Sequence, residues 1–234
     1  MKLLVLAGGK GTRLKSAVPN LPKVLAPING KPFVDLQIES WLSQGVTSIT
    51  FILHHDADLI RSYIHSQYKI LVENGFISFV VDPYPLDTGG ALFNTIKELN
   101  LINNFLVTNA DTWLSSGLKK VWSSKPPSIG IIKVQDTSRY GEVTFLENKI
   151  LSFKEKENSS QEGFINAGLS LLSPINFKNQ KKEIFSLERD FMPSLVNKKE
   201  LNAVILNTNF IDIGIPDDYQ RFCKWVANDK NDKL

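Results

Sequence analysis

Residues 1–32 read MKLLVLAGGKGTRLKSAVPNLPKVLAPINGKP. Lys2 to Ala7 is short and almost wholly apolar, the pattern of a strand buried on both faces. Gly8, Gly9 and Gly11 follow at once, then Arg13 and Lys23. A glycine-rich loop leaving the first strand of an α/β sheet lies at the carboxyl edge of the strands, where ligands bind in such folds. Glycines let backbone N–H groups come close to an anion. Arg13 adds a planar donor fork suited to phosphate, and Lys23 a point charge. The stretch therefore reads as a polyphosphate site. A plain tight turn would need neither three glycines nor two cations.

Working outward, the first half alternates strand and helix. Pro32 opens an expected helix that runs to Gln44, with Gly45 as its stop. Strands are expected at 48–53, 77–82 and 104–111. Helices are expected from a cap at Asp56 to Gln67 and over 90–99. This alternation implies a mostly parallel sheet with helices on both faces. Later the pattern changes to strands at 128–134, 141–148, 149–156, 164–173 and 202–207, the second and third forming a hairpin. Helices are expected at 186–196 and 216–227, the latter with Pro216 in its first position and Asp217 and Asp218 at its positive end. One α/β domain over 1–228 is expected, whose sheet gains antiparallel strands late. The alternating half covers about 1–112 and the strand-rich half about 113–228, with 229–234 a polar tail.

The chain has 234 residues, 42% hydrophobic and 22% charged, which suits a globular protein with a sizeable core. A net charge of +3 is too weak to argue for nucleic acid or an anionic membrane. Cys223 is the single cysteine, so no intrachain disulfide forms, and a reducing, cytoplasmic setting is expected. No apolar run of about 18 residues exists to span a membrane. The five-residue run Leu3 to Ala7 is shorter than the roughly 7–15 of a signal peptide. His54, His55 and His65 show no metal-ligand spacing.

The loop is not a P-loop, because G-x-x-x-x-G-K-[ST] is absent. It is a poor dinucleotide fingerprint, because Leu14 stands where the third glycine belongs. Instead, "LAGGKGTRL" followed by "PKVLAPINGKP" resembles the signature of the sugar-1-phosphate nucleotidyltransferases. "PLDTGGA", "VTNAD", "RYGEV", "FKEK", "FINAGL" and "FIDIGIP" follow in the family's order, so the resemblance covers nearly the whole chain. Within the family the chain is most similar to the short bacterial D-glycero-D-manno-heptose 1-phosphate guanylyltransferases, on "VPNLPKVLAPINGKPF" and "FIDIGIP". The resemblance implies a Rossmann-like three-layer sandwich with a mostly parallel mixed central sheet, of the nucleotide-diphospho-sugar transferase type.

It implies a reaction as well: an NTP and a sugar 1-phosphate give an NDP-sugar and pyrophosphate. GTP and D-glycero-D-manno-heptose 1-phosphate are the favoured pair. The sugar phosphate oxygen attacks the α-phosphorus in line and is already ionised near neutrality, so positioning and charge neutralisation suffice. By resemblance Asp111 and Asp212 hold Mg2+, Arg13 the β- and γ-phosphates, and Lys23 the α-phosphate. Arg13, Lys23 and Asp111 are the expected catalytic set. Leu6, Ala7, Gly8, Gly9, Gly11, Thr12, Thr88 and Gly89 would line the nucleotide. The sugar phosphate would meet Gly90, Asn109, Gly141, Glu155, Lys156, Asn166 and Gly168. Glu157 stands where the family usually has proline after the lysine.

The segment "DPYPLDTGGA" departs from the guanylyltransferase pattern, with Asp87 for a glycine and Tyr84 for an acid. A carboxylate would suit guanine, whose N1–H and amino group are donors. Asp82 would supply it, or Tyr84 would stack on a base. UDP-, dTDP- or CDP-forming enzymes of the family remain alternatives. So does an inactive NDP-sugar-binding module, although that would be expected to lose Arg13, Lys23 or one aspartate. A nicotinamide-dependent oxidoreductase is a third reading, which dinucleotide titration decides. The expected partners are the two substrates, without nucleic acid or membrane. Association into a homo-oligomer is left open. By resemblance, the product feeds bacterial surface glycans.

Overall fold

The computed structural model describes residues 1–154 and 161–228. Glu155 and Lys156 therefore lie outside the described residues. In chain order the strands are β1 (Lys2–Leu6), β2 (Pro27–Ile28), β3 (Lys31–Pro32), β4 (Ser48–Leu53), β5 (Ile77–Val81), β6 (Phe105–Asn109), β7 (Thr112–Leu114), β8 (Ser128–Val134), β9 (Val143–Leu146), β10 (Lys149–Phe153), β11 (Gly163–Leu172), β12 (Asn202–Leu206) and β13 (Phe210–Asp212). The α-helices are α1 (Phe33–Ser43), α2 (Ala57–Gln67), α3 (Lys69–Glu73), α4 (Asp87–Glu98), α5 (Leu118–Trp122), α6 (Met192–Asn197) and α7 (Pro216–Ala227). The chain packs as two compact units. The first takes residues 1–83, 109–116 and those from 209 onward, and the second takes 84–108 and 117–208.

In the first unit β5, β4 and β1 lie side by side and parallel. Leu3, Leu4 and Val5 of β1 are fully buried, as are Ile49, Phe51 and Leu53 of β4. Such continuous apolar strands need cover on both faces. The end of β6 reaches this unit, where the Ala110 N–H donates to the Leu6 carbonyl at 3.0 Å. β7 and β13 form an antiparallel ribbon with Asp212 opposite Thr112 and Ile211 opposite Trp113. An aromatic cluster anchors the ribbon. The Phe222 ring of α7 lies 5.4 Å from Phe33 of α1, edge to face, and 5.3 Å from Trp113. Such pairs add to the burial energy of the rings themselves.

In the second unit the strand order is β6-β11-β8-β12-β10-β9. β8 and β12 are parallel, whereas β11 runs antiparallel to both β6 and β8 and β10 runs antiparallel to β12 and β9. The late gain of antiparallel strands and the 149–153 hairpin arm agree with the sequence reading. β11 carries a bulge between Asn166 and Ser170. There Gly168 has φ +68° and its N–H donates to the Asn166 side chain at 3.0 Å. Bulges of this kind re-aim side chains beside functional sites.

Several local expectations are corrected. Pro32 precedes α1 in extended backbone instead of forming its first residue. Asp56 precedes α2 in a left-handed conformation, φ 54°, and makes no side-chain cap. α4 begins at Asp87, three residues before Gly90. Residues 186–196 are not one α-helix: a π-helical turn over Leu187–Phe191 leads into α6. Pro193 has no N–H for the carbonyl four residues back, and the turn widens before it. α3, α5 and the β7–β13 ribbon are too short to leave a periodic signal. Pro216 opens α7 as expected.

Phe222 is fully buried at the centre of the aromatic cluster. Phe222→Ala is expected to lower stability by about 3–5 kcal/mol in urea denaturation. The exposed Lys224→Ala on the same helix is expected to stay within about 0.5 kcal/mol.

Candidate active site

The glycine loop is pinned from below. Leu14 and Val18 are buried in the aromatic core, which fixes the short 3-10 turn Thr12–Leu14 and leaves Thr12 and Arg13 exposed. Gly11 sits at φ +59°, a conformation costly for other residues. Gly9 needs no such freedom, and a Cβ there would meet nothing within 4 Å. Packing does not require Gly9, which leaves its bare backbone open to a ligand. Gly8 rests against His54, whose Cβ would lie 3.2 Å from one added at Gly8. The His54 ring pairs through Nδ1 with the Asp82 carbonyl at 3.0 Å, so His54 braces the loop and the end of β5 together.

Lys23 opens a second 3-10 turn whose Val24 and Leu25 are buried. This leaves its side chain mostly covered, with Nζ 2.6 Å from Oδ2 of Asp111. Asp111 sits between β6 and β7. The N–H of Ile213 donates to the Asp111 carbonyl at 3.0 Å, which sets Asp212 beside it at the end of the ribbon. Asp212 Oδ1 accepts the Gly214 N–H at 2.7 Å. A Cβ on Gly214 would stand 2.7 Å from that same oxygen. Gln37 of α1 holds the turn from behind, its Nε2 2.9 Å from the Thr112 carbonyl. Leu6, Ala7, Gly9, Gly11, Lys23 and Asp111 share a pocket of about 80 Å³. That is well under the several hundred Å³ of a typical small-molecule site, and suits a phosphoryl group better than a whole nucleoside.

Burial and then the neighbouring Asp111 charge push the Asp212 carboxyl up from 3.8 to about 6, against the pull of Lys23, the Gly214 amide and Arg13. Two neighbouring carboxylates, with Lys23 bonded to Asp111, are hard oxygen donors in excess of the lysine charge beside them. That donor set fits Mg2+, which takes one or two protein carboxylates and completes its shell with phosphate and water. Among the described residues no group of three or more His, Cys, Asp or Glu could hold a metal alone. A cation at Asp111 and Asp212 would need further oxygens, from phosphate or water.

The remaining candidates are placed as follows. Asp82 is buried at the end of β5, and Asn109 is half-buried at the end of β6. In the second unit Gly141 has φ +78° and its N–H bonds to the Thr137 carbonyl. Asn166 shapes the β11 bulge, and its Nδ2 lies 3.7 Å from the Met192 sulfur. Tyr84 donates to Glu183 at 3.2 Å. Gly89 and Gly90 lack side chains for a local reason. Added Cβ atoms would stand 2.3 Å from the Phe185 ring and 2.1 Å from the Glu183 carbonyl. Sequence reading gave no role to Gly214 or Gln37, and weighed His54 only as a strand-end residue without metal spacing. Gly214 lay within a quoted motif, but Gln37 had no signal of its own.

Residues 2–228 match the model of the nucleotidyl transferase family, and the chain belongs to that family. It is 33% identical to D-glycero-alpha-D-manno-heptose 1-phosphate guanylyltransferase of Campylobacter jejuni, over 95% of this chain and 98% of that one. It is 30% identical to the enzyme of the same name from Aneurinibacillus thermoaerophilus, over 94% and 96%. The crystal structure of HddC from Yersinia pseudotuberculosis complexed with GMP-PN superposes with a TM-score of 0.84 at 34% identity, over 96% of this chain and 99% of that one. The Rossmann-like α/β fold with its mixed sheet is thus shared. No helix among the described residues is long and apolar enough to cross a membrane.

Between pH 3.8 and about 6 the folded, metal-free protein holds a proton on Asp212 that the unfolded chain has released. That contribution to stability is present below this window and lost as pH rises through it. Asp212→Asn is expected to flatten this fall, worth roughly 1–3 kcal/mol. Thermal melts of both proteins in a chelator across pH 4–7 check it.

Proposed function

We propose that the protein condenses GTP with a sugar 1-phosphate, D-glycero-α-D-manno-heptose 1-phosphate, to give the GDP-sugar and pyrophosphate. The constellation that carries this reading is Lys23 against Asp111, with Asp212 adjacent, beside an exposed glycine–arginine loop. The choice of base and sugar rests on the two guanylyltransferases and on the nucleotide named for the HddC complex. A sugar phosphate oxygen attacks the α-phosphorus, the new P–O bond forms, and the bond to the β-phosphate oxygen breaks with release of pyrophosphate. No side chain need remove a proton, since the attacking oxygen is ionised near neutrality.

Lys23 neutralises charge at the α-phosphate, and Arg13 holds the β- and γ-phosphates. Gly8, Gly9 and Gly11 admit the phosphates close to the backbone. Asp111 and Asp212 hold Mg2+, which when bound offsets phosphate charge as it builds in the transition state. Glu155 and Lys156, outside the described residues, remain assigned to the sugar phosphate with Gly141, Asn166 and Gly168. Asp82 and Tyr84 remain assigned to the base. A cytoplasmic setting goes with this reading.

The test is pyrophosphate release with Mg2+, each of ATP, GTP, CTP, UTP and dTTP, and a panel of sugar 1-phosphates that includes the heptose. Release is expected with GTP and the heptose, and Asp111→Asn is expected to lower kcat by about a hundredfold or more. Release with another pair would overturn the substrate assignment and keep the chemistry. Turnover undiminished in Asp111→Asn would remove Asp111 from the metal.

A further inference from the structure

The turn at the start of α4 is held by a segment the sequence reading gave no role. A helix leaves its first N–H groups without partners inside the helix, and such groups can grip an anion. Here they are engaged. The Thr88 N–H donates to Asp87 Oδ1 at 2.7 Å. The Gly89 and Gly90 N–H groups both donate to the Phe185 carbonyl, at 3.0 and 3.1 Å. The Phe185 N–H in turn donates to the Leu86 carbonyl at 3.3 Å. The Thr88 hydroxyl donates to Oε2 of Glu188 at 2.7 Å and accepts the Leu187 N–H at 2.9 Å. A turn with these donors committed works as a wall, and its position is set by the segment it is bonded to.

Glu188 is the charged member of this join. It is half-buried, so its bond to Thr88 is a charge-assisted one shielded from water. The Ser186 hydroxyl also donates to Glu188 Oε2, at 3.2 Å, and accepts the Arg189 N–H at 3.1 Å, which holds the carboxylate in place. Two further ties flank it, Arg189 to Asp87 at 2.7 Å and Tyr84 to Glu183 at 3.2 Å. Both are exposed and hold little on their own.

We propose that Glu188 is a positioning residue for nucleotide recognition, setting the 84–90 wall through the Thr88 hydroxyl. The proposal rests on the nucleotide-binding reading of that wall. It places a determinant of nucleotide affinity about a hundred residues along the chain from the motif it serves.

The test measures KM, kcat and calorimetric Kd for whichever NTP the wild-type protein consumes, so a base other than guanine leaves it intact. A wild type that binds no NTP fails the functional reading before any variant is made. Glu188→Ala is expected to raise KM and Kd for the nucleotide about tenfold with kcat within about twofold. Glu188→Gln keeps an acceptor for Thr88 and is expected to recover most of that loss. Thr88→Val also removes the acceptor of the Leu187 N–H, so what it shares with Glu188→Ala is the Thr88–Glu188 bond, and the double variant is expected to lose less than the sum of the two. A structural defect alone lowers the active fraction, and so kcat, without moving KM. Unchanged KM and Kd in Glu188→Ala would overturn the proposal. If that variant does not fold, Thr88→Val decides by Kd, and wild-type affinity there would overturn the proposal as well.

Discussion

Lys23 and Asp111 meet at 2.6 Å, and Asp212 lies beside them. Two carboxylates cannot share one small space as anions unless something offsets them, and in the free protein Lys23, the Gly214 amide and Arg13 do so in part. Burial first, and then the Asp111 charge, still raise the Asp212 carboxyl to about 6 against that pull. A divalent cation with phosphate oxygens would supply the remainder. On the proposed reading the site suits a charge distribution that substrate completes, which is how electrostatic preorganisation favours a transition state.

The first unit keeps that arrangement in place. β7 and β13 are three residues each, too short to hold two aspartates unaided. Trp113 from the ribbon packs into Phe33, Phe222 and Trp225, so α1 and α7 clamp it. Leu14 enters the same cluster and fixes the loop that carries Arg13. One aromatic core therefore positions both the phosphate loop and the carboxylates. The proposed reaction asks for no general base from the chain, because the attacking oxygen carries its own charge.

How much of this was legible in the sequence depends on the length of each signal. β1, β4 and β8 are continuous apolar runs, and Pro216 marks the start of α7; these were readable. The glycine loop stood out because three glycines and two cations exceed the needs of a turn, and Gly9, Gly11 and Lys23 do line one pocket. The nearness of Asp111 and Asp212 was legible only through motif resemblance, since the ribbon that joins them leaves no periodic trace. Glycine was the ambiguous letter. At Gly9 packing asks for nothing, whereas Gly89 and Gly90 yield to Phe185 and Glu183. Both kinds look alike in a motif. Asp56 was misread because its backbone is left-handed, not the extended conformation of a capping residue, and its side chain makes no cap bond.

The central claim is that Asp111 and Asp212 form half of a cation site that substrate phosphate completes. Mn2+ binding followed by electron paramagnetic resonance tests it most directly, using the wild-type chain and Asp212→Asn with and without a non-hydrolysable GTP analogue. The account predicts weak Mn2+ binding by the free protein, at least tenfold tighter binding with the analogue, and loss of that gain in Asp212→Asn. Equal Mn2+ affinity in the two proteins with the analogue bound would contradict it.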